Sequence, residues 1–242
     1  MEKVIVTLRT GTADDAWAER LRGQVVDELL ALDPPGLTVH VRDAAVRDAL
    51  MTLTTLDPPV QALVSLWTQQ YYGDQATTAL DILGRHAEHV AAYLVTESAP
   101  MPPAPTPPGE RSPGLANMAL LRRPADLDEA TWLSRWHGSH TQVAIDTQST
   151  FGYVQNYVVR GLTPDAPALS AIVEEQFPME AVGSLHAFFG AADDAAAQAV
   201  AEKCAAADAR AAAAEQTAAE KCAAADARAA EAVAAADARD RK

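Results

Sequence analysis

Residues 132–140, Trp-Leu-Ser-Arg-Trp-His-Gly-Ser-His, and residues 151–159, Phe-Gly-Tyr-Val-Gln-Asn-Tyr-Val-Val, decide the fold of the second half of this chain. Trp132, Trp136 and His140 are spaced four residues apart. A helix with about 3.6 residues per turn places such residues along one stripe. The first segment therefore predicts a helix that aims the His140 imidazole into an interior beside two indoles, and the second segment predicts a strand.

Strands and helices of the same kind surround these two segments in a repeating order. Apolar and β-branched runs predict strands at 3–8, 36–42, 60–67 and 89–96 in the first half, and at 115–121, 151–159 and 170–177 in the second half. Amphipathic stripes predict helices at 12–32, 74–86 and 179–189, and from Asp126 onward. Thr12 followed by Asp15, and Asp126 followed by Glu129, are capping signals at two of the helix starts.

A proline-rich segment divides the chain into two halves with a similar element order. Residues 99–114 contain seven prolines, so this segment is expected to be extended and semi-rigid. The predicted units are residues 1–100, the linker 101–114, residues 115–190 and the tail 191–242. A shift of 115 residues superimposes the first helices of the two halves and places Val25 opposite His140. This match indicates an internal duplication in which only the second copy carries a site.

Residues 191–242 depart from the duplication, because they are mostly alanine and contain no β-branched run that could form a fourth strand. A twelve-residue sequence occurs identically at 201–212 and 219–230, and alanine has the highest helix propensity. We therefore expect a C-terminal alanine-rich helical tail. Cys204 and Cys222 would lie about 27 Å apart on a continuous helix, so two free thiols are expected.

Charge and composition argue against several classes of partner. The formal net charge is −14, of which −11 lies on residues 1–190, because 191–242 holds ten acidic and seven basic residues. An acidic body repels phosphate backbones and anionic lipids, so neither nucleic acid nor a membrane is expected as a partner. The chain has no run of 18 apolar residues and no signal-peptide pattern, so a cytoplasmic location is expected.

Three features of the second half resemble the EthD family of the dimeric α+β barrel superfamily. They are Leu121-Arg-Arg-Pro124, the Trp-x-x-x-His pair of Trp136 and His140, and the Tyr-x-Gln-Asn strand motif of Tyr153, Gln155 and Asn156. The resemblance covers about residues 115–190. It implies an α+β fold in which two ferredoxin-like repeats form an intrachain α+β barrel, followed here by the alanine-rich helical tail.

The resemblance also implies a cofactor-independent lyase, isomerase or decarboxylase that acts on a small apolar or aromatic carbonyl compound. On this interpretation, the catalytic residues are His140, which transfers a proton, and Tyr153. The expected substrate-binding residues are Trp132, Trp136, His137, Gln155, Asn156, Tyr157 and Arg123. Side chains alternate along a strand, and we expect the valines on the helix-covered face, so that Tyr153, Gln155 and Tyr157 line the pocket.

Other interpretations of the same residues stay open at this point. His140 can be a core histidine bonded to the backbone, and the tyrosines can be ordinary sheet-packing residues. The pairs His137–His140 and His86–His89 have a His-x-x-His spacing, but neither pair has a nearby Cys or Glu in a ligand pattern, so no metal site is predicted. The chain can also be a non-catalytic small-molecule-binding or accessory protein whose helical tail assembles a homo-oligomer.

Overall fold

The computed structural model of the protein describes residues 1–206 and Ala209. Its strands are β1 (Glu2–Arg9), β2 (Gly36–Val41), β3 (Val60–Thr68), β4 (His89–Met101), β5 (Leu115–Leu121), β6 (Gly152–Gly161) and β7 (Ala171–Phe177). Its helices are α1 (Asp15–Arg20), α2 (Val26–Leu30), α3 (Asp74–Gly84), α4 (Glu129–Arg135), α5 (Thr141–Thr147) and α6 (Leu185–Phe188). Two π-helical turns, Leu21–Val25 and Trp136–His140, join α1 to α2 and α4 to α5, and a 3-10 turn spans Met179–Val182.

All seven strands form one antiparallel sheet in the order β2-β3-β1-β4-β6-β7-β5. The two halves meet where β4 pairs with β6, for example at Val95 and Val158. In each half the third strand lies between the first strand and the second. The described residues after β7 contain no further strand, so β2 and β5 are the two open edges of the sheet.

The two faces of the sheet have different cores, because side chains of a strand alternate between its faces. In the first half, one face packs under α1, α2 and α3 through residues such as Val6, Leu21 and Ile82. In the second half, the same face packs under α4 and α5. The opposite face collects Ile5, Tyr93 and Ile172, with other apolar residues of both halves, into one cluster. Because strands from both halves contribute to this cluster, the sheet curls into an open half-barrel with its own interior.

A network of polar side chains in the half-barrel interior connects the two halves. Lys3 is 4% exposed, and its Nζ lies 2.5 Å from Glu97 Oε2 and 2.8 Å from Glu174 Oε1. Asn156 Nδ2 donates to the same Glu174 oxygen at 2.9 Å, and His40 Nε2 lies 3.5 Å from the other one. Burial raises the pKa of Glu174, but His40 and the Lys3 ammonium outweigh this effect and hold the pKa at about 2. These contacts tie β1 and β2 to β6 and β7.

Most predicted elements are present, and the differences concern their ends. The N-caps are Asp14 and Asp128, which accept hydrogen bonds from Trp17 N at 2.7 Å and Thr131 N at 2.9 Å, instead of the expected Thr12 and Asp126. Strand β4 continues beyond 96 as far as Met101, because it pairs with β6 along that length. The prediction of one helix over 179–189 is wrong, since Gly183 separates the 3-10 turn from α6.

The alanine-rich tail is helical over residues 194–206. Ala197 is 3% exposed, and Cys204 Sγ lies 3.0 Å from Thr147 Oγ1 at the end of α5. The second copy of the tail repeat, 219–230, and its Cys222 lie outside the described residues. Within the part of the chain that the structure describes, no helix has the length and apolar character needed to cross a membrane.

Candidate functional site

The two tryptophans of the predicted site form one aromatic wall between α4 and the sheet. Their ring centroids are 5.1 Å apart with the planes inclined by 38°. Trp136 is 3% exposed and belongs to a cluster with Tyr153 and Val173, whereas Trp132 is half-buried. The exposed ring of His137 packs against Trp136 with 4.8 Å between centroids, so His137 covers the outer side of that indole.

The π-helical turn at Trp136–His140 changes which residues reach the sheet. The backbone N–H of Thr141 bonds to the carbonyl oxygen of Trp136, five residues earlier, and the Thr141 hydroxyl donates to the same oxygen at 2.7 Å. In this wider turn, the buried stripe passes from Trp136 to Thr141, which is 7% exposed, while His140 is exposed. The prediction that His140 points into the interior is therefore wrong.

His140 does line a cavity of about 300 Å³ on the helix-covered side of the sheet. The other lining residues are Leu121, Arg122, Trp132, Arg135, Trp136 and Ser139. The cavity lies where β5 ends against α4 and the π-helical turn, outside the half-barrel interior. Its volume is near the lower end of the range for small-molecule sites. A cavity beside His140 is thus present, although a guest molecule would reach it from the outer face.

Strand β6 presents its side chains the other way round from the prediction. Tyr153, which is 2% exposed, packs beneath Trp136, and Gln155 Nε2 donates to Thr141 Oγ1 at 2.6 Å on the same helix-covered face. Asn156 is fully buried on the opposite face, in the half-barrel interior. None of these three side chains lines the cavity. The large aromatic side chain fills the deeper layer between helix and sheet, which the smaller valines could not fill.

Two further candidate binding residues lie beyond the cavity lining. The Tyr157 hydroxyl donates a hydrogen bond to the Glu129 carboxylate, and this bond raises the pKa of Tyr157. The Arg123 guanidinium donates to the carbonyl oxygen of Leu127. Both side chains therefore hold the connection between β5 and α4, and it is the neighbouring Arg122 that reaches the cavity.

A buried carboxyl group that the sequence analysis missed lies beneath the site. Glu175 on β7 is 7% exposed and lies opposite Tyr153 of the neighbouring strand β6. Its carboxylate accepts a hydrogen bond from Asn117 Nδ2 at 2.9 Å. Burial raises the pKa of Glu175, while the Asn117 bond and the charge of His140 lower it. The only signal in the sequence is the adjacent pair Glu174–Glu175, whose members must lie on opposite faces of a strand that is covered on both sides.

The indole N–H of Trp136 is a buried donor that no described residue satisfies. Burial raises the pKa of the neighbouring Tyr153 phenol, and an interaction with the Trp136 side chain acts to lower it. Among residues 1–206, no group of His, Cys, Asp and Glu side chains could hold a metal ion.

The fold and the site define a mixed α+β protein with a curled antiparallel sheet and a cavity under its second helical layer. No family model and no curated protein matches the chain. One solved structure with a similar fold is described as an anthrone oxidase-like protein. It is 14% identical, has a TM-score of 0.48, and the match covers 85% of this chain and 86% of that chain. A likeness of this size carries no conclusion about family or activity.

Proposed function

We propose that the helix-side cavity binds a small apolar or aromatic carbonyl compound, and that the chain converts it without a cofactor, as a lyase, isomerase or decarboxylase. The observation that carries this proposal is the cavity of about 300 Å³ in which two indoles and the His140 imidazole meet. Mostly apolar walls with a few convergent polar groups are typical of sites for small molecules.

His140 is the proton-transfer group of this proposal. An imidazole changes its charge near neutral pH, which suits general acid–base chemistry. The exposed ring can exchange its proton with water between turnovers, while one edge faces the cavity. Negative charge that develops on the carbonyl oxygen of a substrate would be stabilised by Arg122, which lines the cavity.

Glu175 is the proposed electrostatic partner of His140, and Tyr153 is a positioning residue. Burial raises the pKa of Glu175, and the charge of His140 acts to lower it, so the two groups interact electrostatically. Tyr153 packs under Trp136 outside the cavity lining, and burial raises its pKa above the ordinary value of a phenol. This role replaces the catalytic one that the strand motif suggested.

We also propose that the halves are two ferredoxin-like repeats of an EthD-type α+β barrel. Each half places its third strand between the first and the second. The π-helical turns Leu21–Val25 and Trp136–His140 start 115 residues apart, which is the shift that the sequence comparison uses. A rare helical irregularity at equivalent positions supports a duplication more strongly than the faint sequence match does.

Exchange of the α-protons of 2-tetralone in D2O, followed by proton NMR, tests the proposed chemistry. Proton abstraction next to a carbonyl is shared by many isomerase and decarboxylase reactions, and 2-tetralone has the expected apolar aromatic shape. The wild-type protein should exchange these protons faster than buffer alone, and His140→Ala should lower the rate by about 100-fold. His140 is exposed, so the variant should stay folded.

His89→Ala provides the matched control, because His89 is an exposed histidine of the first half. Its rate should equal that of the wild type. Glu175→Gln keeps an acceptor for Asn117 but removes the carboxyl group that interacts with His140, so its pH–rate profile should differ from that of the wild type. A wild-type rate no greater than that of free imidazole at equal concentration, or a fully active His140→Ala variant, would overturn the proposal.

A second candidate function is a non-catalytic ligand-binding or accessory protein with an assembly tail. The observation that favours it is the exposure of His140, since a proton-transfer group is more often shielded from bulk water. The contact between Cys204 and Thr147 fixes the start of the tail on α5. Truncation after residue 206 should then lower the number of chains per particle in light scattering while the circular dichroism spectrum keeps its shape. An unchanged number of chains per particle would exclude assembly through the tail.

A further inference from the structure

The walls of the helix-side cavity have the opposite charge to the chain as a whole. Among the described lining residues, Arg122, Arg135 and His140 can carry positive charge, and none is acidic. The whole chain holds 33 acidic residues against 19 lysines and arginines, which gives a formal net charge of −14. The cavity therefore concentrates basic groups on a protein that is otherwise acidic.

The two arginines of the lining come from different elements. Arg122 directly follows β5, and Arg135 is the last residue of α4. Within the described part of the chain, no hydrogen bond or ion pair uses the exposed Arg122 side chain. The next residue, Arg123, differs, because its guanidinium donates to the carbonyl oxygen of Leu127 and lies outside the lining. Arg122 is thus available to a guest molecule, whereas Arg123 holds the connection between β5 and α4.

The described carboxyl groups around the cavity do not line it. Asp128 accepts from Thr131 N at the start of α4, and the Glu129 carboxylate accepts from the Tyr157 hydroxyl. Glu175 is 7% exposed and lies in the layer beneath the cavity wall. A negatively charged group of a guest molecule would therefore meet arginine at the described wall, without a carboxylate to repel it.

A guanidinium group binds a carboxylate through charge-assisted hydrogen bonds, and its five N–H donors can contact a further oxygen as well. Trp132 and Trp136 supply an apolar aromatic wall in the same cavity. We infer that the substrate of this site is an aromatic keto acid, bound as its carboxylate anion. The carboxylate is held by Arg122, with Arg135 as a second cation, and serves for recognition without reacting. This inference rests on the proposed function for the site and for the ketone, and it adds the charge of the substrate.

Isothermal titration calorimetry on the full chain at pH 7 tests the inference with two matched probes. One is 2-tetralone that carries a carboxylate on its aromatic ring, and the other is the methyl ester of the same compound. The two have nearly the same shape, so the difference between their affinities reports the charge. At constant ionic strength, the acid should bind about tenfold more tightly than the ester, because hydrogen bonds to a charged group contribute about that factor. An ester that binds as tightly as the acid would overturn the inference.

Arg122→Gln should weaken binding of the acid by about tenfold, to the level of the ester, and should change binding of the ester by less than about twofold. Arg122 is exposed, so the variant should stay folded. Arg123→Gln is the matched control, because it removes the same charge one residue away and outside the lining. It should weaken binding of the acid by less than about twofold. Equal losses in the two variants would show a general attraction between charges and would overturn the inference.

Exchange of the α-protons in D2O, measured on both probes, separates this inference from the proposed function. Tight binding of the acid that depends on Arg122, without exchange, would refute the proposed chemistry and leave the inference standing. Exchange that depends on His140, without preferential binding of the acid, would overturn the inference and leave the proposed chemistry standing. If neither probe binds, both are overturned.

Discussion

The first helix of each half contains a π-helical turn, but the two turns bury different residue positions. Each half has a π-helical turn, and residues four and five positions after its first residue lie on either side of the buried stripe. In the first half the residue four positions after the start of the turn, Val25, is fully buried. In the second half the corresponding residue, His140, is exposed, and the next residue, Thr141, is buried instead. Equivalent backbone geometry therefore does not decide which side chain is covered.

The neighbouring elements explain this difference. In the first half, α3 packs Ala79, Ile82 and Leu83 into the same cluster as Val25. In the second half, the 3-10 turn at Met179–Val182, the short α6 and the start of the tail follow β7 among the described residues. Val25 therefore packs in the core of its half, whereas His140 lines a cavity.

The largest expected effect on the free energy of unfolding comes from removing the Lys3 ion pairs, one of which connects the two halves. Lys3→Met removes the buried cation between Glu97 and Glu174 and leaves the largely buried Glu174 carboxylate without its ammonium partner, beside the exposed Glu97. The free energy of unfolding in urea at pH 7 should fall by about 3–5 kcal/mol. Lys203→Met, at an exposed lysine of the tail, should change it by less than about 0.5 kcal/mol.

The same variant should change how stability depends on pH. The pKa of Glu174 is depressed from 4.5 to about 2, so its stabilising contribution is complete above about pH 4.5 and is lost as the pH falls through about 2. Lys3→Met should weaken this dependence. A variant that unfolds with the wild-type free energy would show that the interior ion pairs do not hold the halves together.

A reciprocal exchange at the equivalent positions gives the next largest effect. Val25→His places an imidazole in a fully covered position, and we expect a loss of about 2–4 kcal/mol in the free energy of unfolding. His140→Val changes an exposed side chain, so its free energy of unfolding should stay within about 0.5 kcal/mol of the wild-type value. Thermal or urea unfolding measures both. Equal losses in the two variants would contradict the difference in cover between the halves.

The smallest expected effect concerns the π-helical turn itself. Thr141→Val keeps the shape of the side chain but removes its hydrogen bonds to Trp136 O and Gln155 Nε2, at an expected loss of about 1–2 kcal/mol. The matched variant Val26→Thr at the half-buried equivalent position of the first half should have an effect below about 1 kcal/mol. If Thr141→Val is as stable as the wild type, the hydroxyl does not hold the turn.

The strands could be predicted from the sequence because their signals are local. The run Val4-Ile5-Val6 and the alternation over 36–42 depend only on neighbouring residues, and both segments are strands in the structure. The direction of His140 could not be predicted, because regular spacing assumes a regular helix and nothing in Trp136–His140 signals a π-helical turn. The faces of β6 were assigned wrongly because hydrophobicity alone does not show that a tyrosine lies under a helix.

The sequence by itself determined the order of strands and helices, and its shift of 115 residues equals the spacing of the two π-helical turns. These features follow from periodicity and turn chemistry, which act over a few residues. Only the tertiary structure decided that Glu175 is buried on β7 and that Arg122 lines the cavity instead of Arg123. Burial and charge compensation depend on which distant segments pack over a residue, and no local pattern carries that information.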